Sequence, residues 1–207
     1  MSLAEKLALG LVALGLELPH PTRERLLEYL ALLHKWNSVY NLTAVREKEK
    51  MVAQHLLDCL AVSPHLDGRT VVDVGSGAGL PGIPLALARP ERRVTLLEAG
   101  HKKAAFLRQA VIELELKNAT VVCDRVEKWR PAAQFDVVIS RAFSDLAEFV
   151  ALAGHLRARD GVIAAMKGVY PYEELAQVPR GFGVRGVIPL KVPGLRRERH
   201  LVLLQPG

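Results

Sequence analysis

Apolar positions along the chain follow two regimes that change over near residue 70. Before that point they recur at three- and four-residue steps, the period of one face of a helix. An apolar run over 7–16 reads as a short helix closing near Gly15. Leu26, Leu30, Leu33 and Trp36 (or Tyr29, Leu33, Trp36 and Tyr40) mark a second helix with Thr22 as its cap, and 47–62 a third that Pro64 stops. From Val71 onward the apolar residues instead gather in short, β-branched blocks at 71–74, 94–98, 120–123, 135–142, 161–166, 184–190 and 200–204. Helical patterns after Pro81 and over 102–116 separate the early blocks. Strands alternating with helices predict an α/β fold, a doubly wound and mostly parallel sheet. The last two blocks, joined by the basic turn 193–199, predict a terminal antiparallel hairpin. Residues 1–66 are then a small helical extension packing on a core of 67–207, one compact unit overall.

The first strand runs into Asp73-Val74-Gly75-Ser76-Gly77-Ala78-Gly79-Leu80-Pro81-Gly82, a glycine turn opening a helix. Such a turn aims unpaired backbone N–H groups at whatever lies above the strand end, so a ligand is expected there. A P-loop is excluded because no Lys-Ser/Thr pair follows the last glycine. A nucleophile elbow is excluded because Val74 stands where glycine is required ahead of Ser76. Gly77-x-Gly79-x-x-Gly82 satisfies a dinucleotide pattern, but the carboxylate of Asp73 repels a pyrophosphate and attracts a sulfonium or ammonium. Glu98 closes the second strand, 25 residues beyond Asp73, where its carboxylate can accept both hydroxyls of a ribose. On these residues alone an NAD-dependent oxidoreductase, a small-molecule methyltransferase and a non-enzymatic RNA-binding assembly factor all stay open.

Composition changes the picture in one respect. The chain of 207 residues carries a net charge of +6, and the excess is uneven. Residues 1–66 hold seven Lys or Arg against seven Asp or Glu, whereas 167–207 hold seven against three. A basic carboxyl end points to a polyanion. Lys167, Lys191, Arg196, Arg197 and Arg199 are the expected phosphate grip, with Tyr170 and Tyr172 the nearest aromatic residues for stacking on bases if that polyanion is a nucleic acid. Two cysteines at unrelated spacing and seven scattered histidines predict neither a disulfide framework nor a metal site, and fit a reducing compartment. The apolar run at 7–16 is too short to span a bilayer and lacks a cleavage pattern, so no membrane role is expected.

Taken together, Leu33-His34-Lys35-Trp36-Asn37, Tyr40-Asn41-Leu42-Thr43, His55-x-x-Asp58, the stretch from Asp73 to Pro84, Ser140-Arg141-Ala142 and Lys167-Gly168 resemble the small-subunit ribosomal RNA guanine-N7 methyltransferase family, also called glucose-inhibited division protein B. The resemblance covers nearly the whole chain. Cys59 departs from it, standing where serine is expected in the His-x-x-Asp helix. It implies a class I S-adenosylmethionine methyltransferase fold, Rossmann-like, and methyl transfer to N7 of a guanine in the decoding region of 16S rRNA. The partner is 16S rRNA or a small-subunit ribonucleoprotein, the protein a monomer and the setting the bacterial cytoplasm. Gly75, Leu80, Val126, Glu127 and Arg141 are the implied cofactor contacts, to which Asp73, Gly77 and Glu98 are added on the physical argument above. No general base is required, because N7 carries a lone pair and no proton.

Overall fold

The structure is a computed structural model that describes residues 1–143 and 145–207. Helix α1 (Leu3–Ala13) begins earlier than its apolar run, because Ser2 and Glu5 form a capping box. Helix α2 (His20–Tyr40) begins before Thr22, which therefore is not its cap. Pro21 sits in the first turn, where its missing N–H leaves no bond unmade, and the helix starts there without a side-chain cap. Next comes α3 (Lys48–Met51), which passes through a π-helical turn (Val52–Leu57) into α4 (Asp58–Leu60).

Seven strands follow: β1 (Thr70–Val74), β2 (Arg93–Leu97), β3 (Ala119–Val122), β4 (Phe135–Ser140), β5 (Arg157–Lys167), β6 (Phe182–Pro189) and β7 (His200–Pro206). They form one sheet in the order β3-β2-β1-β4-β5-β7-β6. The pairs among β1 to β5 are parallel, and β7 runs antiparallel to both β5 and β6. Strand β5 is longer than its apolar block. The connection from β3 to β4 carries only a turn at Arg125–Trp129, so the strand-helix alternation lapses once. The chain winds outward from β1 to β3 and returns to β4 on the other side of β1. The crevice at the carboxyl ends of β1 and β4 is thus the topological switch point.

Residue parity divides the core. Val71, Val94, Leu96, Val137 and Ile139 face a layer containing α1 to α4, α5 (Gly82–Ala88) and α6 (His101–Glu113). Val72, Val74, Leu97 and Val138 face α7 (Leu146–Ala153), with Leu175 of α8 (Tyr172–Ala176) packed beside it. The first cluster runs unbroken from Leu7 to Leu203, so the amino-terminal helices share their core with the sheet. No helix among the described residues is long and apolar enough to cross a membrane.

Candidate active site

Asp73 shares its side of the sheet with Val71, beneath the amino-terminal helices, and is fully buried. One carboxylate oxygen, Oδ2, accepts from Ser76 Oγ at 2.7 Å and from the Gly82 N–H at 2.9 Å, closing the glycine turn from below. Burial, the largest influence, raises its carboxyl to about 6 despite those two bonds. Asp73 therefore stands under the turn, where it shapes the loop. Tyr29, fully buried in α2, donates to the Ala78 carbonyl at 2.6 Å and holds the same turn from the helical side.

Above the turn lie two cavities that meet at Gly75 and Ala142. The outer one, about 270 Å³, is lined by Gly75, Glu98, Asp124, Val126, Glu127 and Ala142, among others. The inner one, about 260 Å³, is lined by Leu42, Thr43, Gly75, Gly77, Leu80 and Arg141, among others. Seven of the eight expected cofactor residues thus line one bipartite crevice, and Asp73 lies beneath it. Glu98 is not idle: Oε2 accepts from the Gly77 N–H and Oε1 from the Gly100 N–H, both at 2.8 Å. Each oxygen keeps a lone pair for a further donor. Ser140 Oγ donates to the Val74 carbonyl at 2.7 Å and accepts from the Ala142 N–H at 3.0 Å, fixing the loop that forms the common wall.

Beside the inner cavity, sharing Thr43 and Arg141 with it, is a polar cavity of about 350 Å³ that also includes His55, Asp58, Lys167, Arg199 and His200. The buried Asp58 joins two arginines: Oδ2 lies 3.3 Å from Arg141 Nη1 and Oδ1 2.9 Å from Arg199 Nε. Burial pushes the Asp58 carboxyl above its ordinary value and the two guanidiniums act the other way, so the charged form depends on both. His55 Nε2 lies 2.9 Å from Thr43 Oγ1, and Oγ1 accepts from the Val45 N–H at 3.2 Å. Burial, followed by the charge of Arg141, lowers the imidazole to about 4, so His55 is neutral near pH 7.

The five residues expected to grip RNA divide into two groups. Lys167 is buried, with Nζ 2.6 Å from Glu174 Oε2 and 3.3 Å from the Phe143 carbonyl, and Arg199 is held by Asp58. Lys191, Arg196 and Arg197 are exposed on a basic groove formed by residues 189–200, whose wall includes Arg199. Tyr170 stacks edge-on against His200 at 5.4 Å, while Tyr172 is 76% exposed. Thr43, His55 and Asp58, which stand in the motifs quoted above without an assigned role, all line this polar cavity. Their spacing places His55 and Asp58 on one helical face, a pattern more often due to a local hydrogen bond than to a catalytic dyad, and here they meet Thr43 and the two arginines.

A family model described as GidB, rRNA small subunit methyltransferase G, matches residues 22–202. A ribosomal RNA small subunit methyltransferase G of Nitrosospira multiformis is 59% identical over 212 aligned positions, which cover 99% of this chain and 98% of the relative. One of Laribacter hongkongensis is 58% identical, covering 99% of each. Among solved structures, the glycopeptide N-methyltransferase MtfA complexed with S-adenosylhomocysteine superposes with a TM-score of 0.64 at 13% identity, covering 74% of this chain and 87% of that one. A SAM-dependent methyltransferase from Aquifex aeolicus gives 0.58 at 18% identity, covering 72% and 90%.

Proposed function

The chain belongs to the rRNA small subunit methyltransferase G family, and from that premise we propose that it methylates N7 of a guanine in the decoding region of 16S rRNA, with S-adenosylmethionine as donor. The observation that carries this reading is the bipartite crevice at the switch point, which shares Thr43 and Arg141 as lining with an adjacent polar cavity large enough for a base. The cradle fits the cofactor: at Gly75 an added Cβ would stand 3.0 Å from that of Ala142, just where the two cavities meet. Glu98 and Val126 with Glu127 would take the adenosine half, and Gly77, Leu80 and Arg141 the methionine half, above the carboxylate of Asp73. When bound, S-adenosylmethionine supplies an electrophilic methyl group on a sulfonium.

The chain's own task is positional. Guanine N7 carries an in-plane lone pair and no proton, so the residues around it must hold the base in line and exclude water. No proton acceptor is needed, and His55, its imidazole lowered to about 4, is a poor one. The base gains positive charge as it reacts, and a cluster of bare cations would oppose this. Arg141 and Arg199 share Asp58, and Lys167 faces Glu174, so each cation lining the polar cavity has a carboxylate beside it. The same site would serve a small-molecule methyltransferase, and methyl incorporation into RNA rather than metabolites separates the two. The proposed setting is the bacterial cytoplasm, with a monomer acting on 16S rRNA or a small-subunit particle.

Two outcomes follow from this reading. Arg141→Ala is expected to lower labelled-methyl transfer to small subunits by at least about tenfold at saturating cofactor, one hydrogen-bonded charge being worth about 1.5–3 kcal/mol. Retained secondary structure by circular dichroism must accompany the loss, and undiminished turnover would count against the assignment. The exposed Arg196 and Arg197 are the residues best placed to meet phosphates from the basic groove. Neutralising both should weaken RNA binding and reduce the slope of log affinity against log salt by roughly 0.7–0.9 for each charge lost. An unaltered slope in filter binding would remove the groove from the RNA path.

A further inference from the structure

Arg141 and Arg199 come from the loop after β4 and from the residue just before β7, and they serve different compartments. Arg141 lines the inner cofactor cavity and the polar cavity. Arg199 lines the polar cavity and the basic groove. Both guanidiniums end on Asp58, one on each carboxylate oxygen. Arg141 reaches it through Nη1, the same nitrogen that donates to the Gln54 carbonyl at 3.2 Å. The Asp58 side chain is only 2% exposed, so water cannot readily replace a partner that leaves.

We propose that Asp58 is a positioning residue that couples the cofactor cavity to the basic groove, so that what holds Arg199 alters how Arg141 is presented to the cofactor. The inference rests on the functional reading above and adds a regulation to it. A phosphate that engages Arg199 draws its charge away from Oδ1. The carboxylate is then under-neutralised in a low-dielectric setting and pulls harder on its remaining partner. Arg141 is drawn toward Asp58 and away from the anionic end of the ligand in the inner cavity. By linkage, loss of that ligand frees Arg141 to neutralise Asp58 and lets Arg199 grip phosphate more tightly, with the same coupling factor in both directions.

The experiment uses S-adenosylhomocysteine as probe, titrated calorimetrically into wild type, Arg199→Ala, Asp58→Asn and the double variant. Arg199 lines neither cofactor cavity, yet Arg199→Ala is expected to weaken probe binding by about threefold or more, within the usual range of coupling between sites. In the Asp58→Asn background the same substitution should change the affinity by less than about twofold, as a closed double-mutant cycle requires. Wild-type affinity in Arg199→Ala, or an equal loss in both backgrounds, overturns the coupling alone. Wild-type protein that takes up no probe overturns the functional reading and this proposal with it. Should Asp58→Asn fail to fold, wild type titrated with and without a saturating 16S rRNA fragment gives the second reading. Weaker probe binding in the presence of RNA supports the coupling, and an unchanged affinity overturns it.

Discussion

Gly75→Val is expected to weaken S-adenosylmethionine binding by at least about a hundredfold, a loss of about 2.7 kcal/mol, while the protein still folds. Gly75 has φ of +69°, and a β-branched residue there costs about 1–2 kcal/mol of backbone strain. Its Cβ would lie 3.0 Å from that of Ala142, and the two γ-methyl groups must go somewhere beyond it. The space they have is the passage between the outer and inner cavities, both of which Gly75 lines. The strain is small beside a total stability of about 5–15 kcal/mol, so the melting temperature should fall by only several degrees. Equilibrium dialysis with labelled cofactor and a thermal melt test both halves. Gly77 provides the contrast: its φ is +59°, but an added Cβ would meet nothing closer than the Gly75 carbonyl at 3.7 Å. Gly77→Ala should therefore bind much better than Gly75→Val, and the reverse order would show that the passage is misidentified.

The difference between these two glycines marks how far the sequence could be read. Periodicity placed every strand and the switch from helical to strand spacing, since each signal lies within a dozen residues of chain. The glycine turn was legible for the same reason. Thr22 was misread because Pro21 and Thr22 both signal a helix start, and the proline's fixed φ lets the helix begin one turn sooner. Asp73 was read as a cofactor contact near the sulfonium, whereas parity with Val71 buries it under the amino-terminal helices. That follows only once the face those helices cover is known. What could not be read at all are the contacts that join distant segments. Asp58 and Arg199 are 141 positions apart, and Tyr29 and Ala78 are 49 apart. Lys167 looked like one more basic residue near the carboxyl end, yet Glu174 and the Phe143 carbonyl bury it. Charge along a sequence does not reveal which cations already have partners.

Asp73→Asn should separate the shape of the turn from its charge. Oδ2 makes both bonds to the loop, and the amide oxygen of asparagine can accept the same two, while its NH₂ takes the place of Oδ1. The turn keeps its form and loses a negative charge. At an effective dielectric near 20, a sulfonium roughly 4–8 Å from a carboxylate gains about 2–4 kcal/mol, so S-adenosylmethionine affinity at pH 7.5 should fall by at least about tenfold. S-adenosylhomocysteine, a neutral thioether, should lose much less, and the ratio of the two affinities isolates the charge. The pH dependence gives an independent check. With a folded value of about 6, Asp73 holds its proton more tightly in the fold than in the unfolded chain, where a carboxyl titrates near 3.9. Its contribution to stability therefore rises as pH falls through 6 toward 4 and costs the fold about 3 kcal/mol above that range. Cofactor affinity runs the other way, falling as the carboxylate protonates. Wild type should thus bind S-adenosylmethionine more weakly at pH 5.5 than at 7.5, and Asp73→Asn should show a flatter profile. Equal losses for the sulfonium and the thioether, or an unchanged pH profile in the variant, would mean that Asp73 only builds the turn and that its field does not reach the ligand.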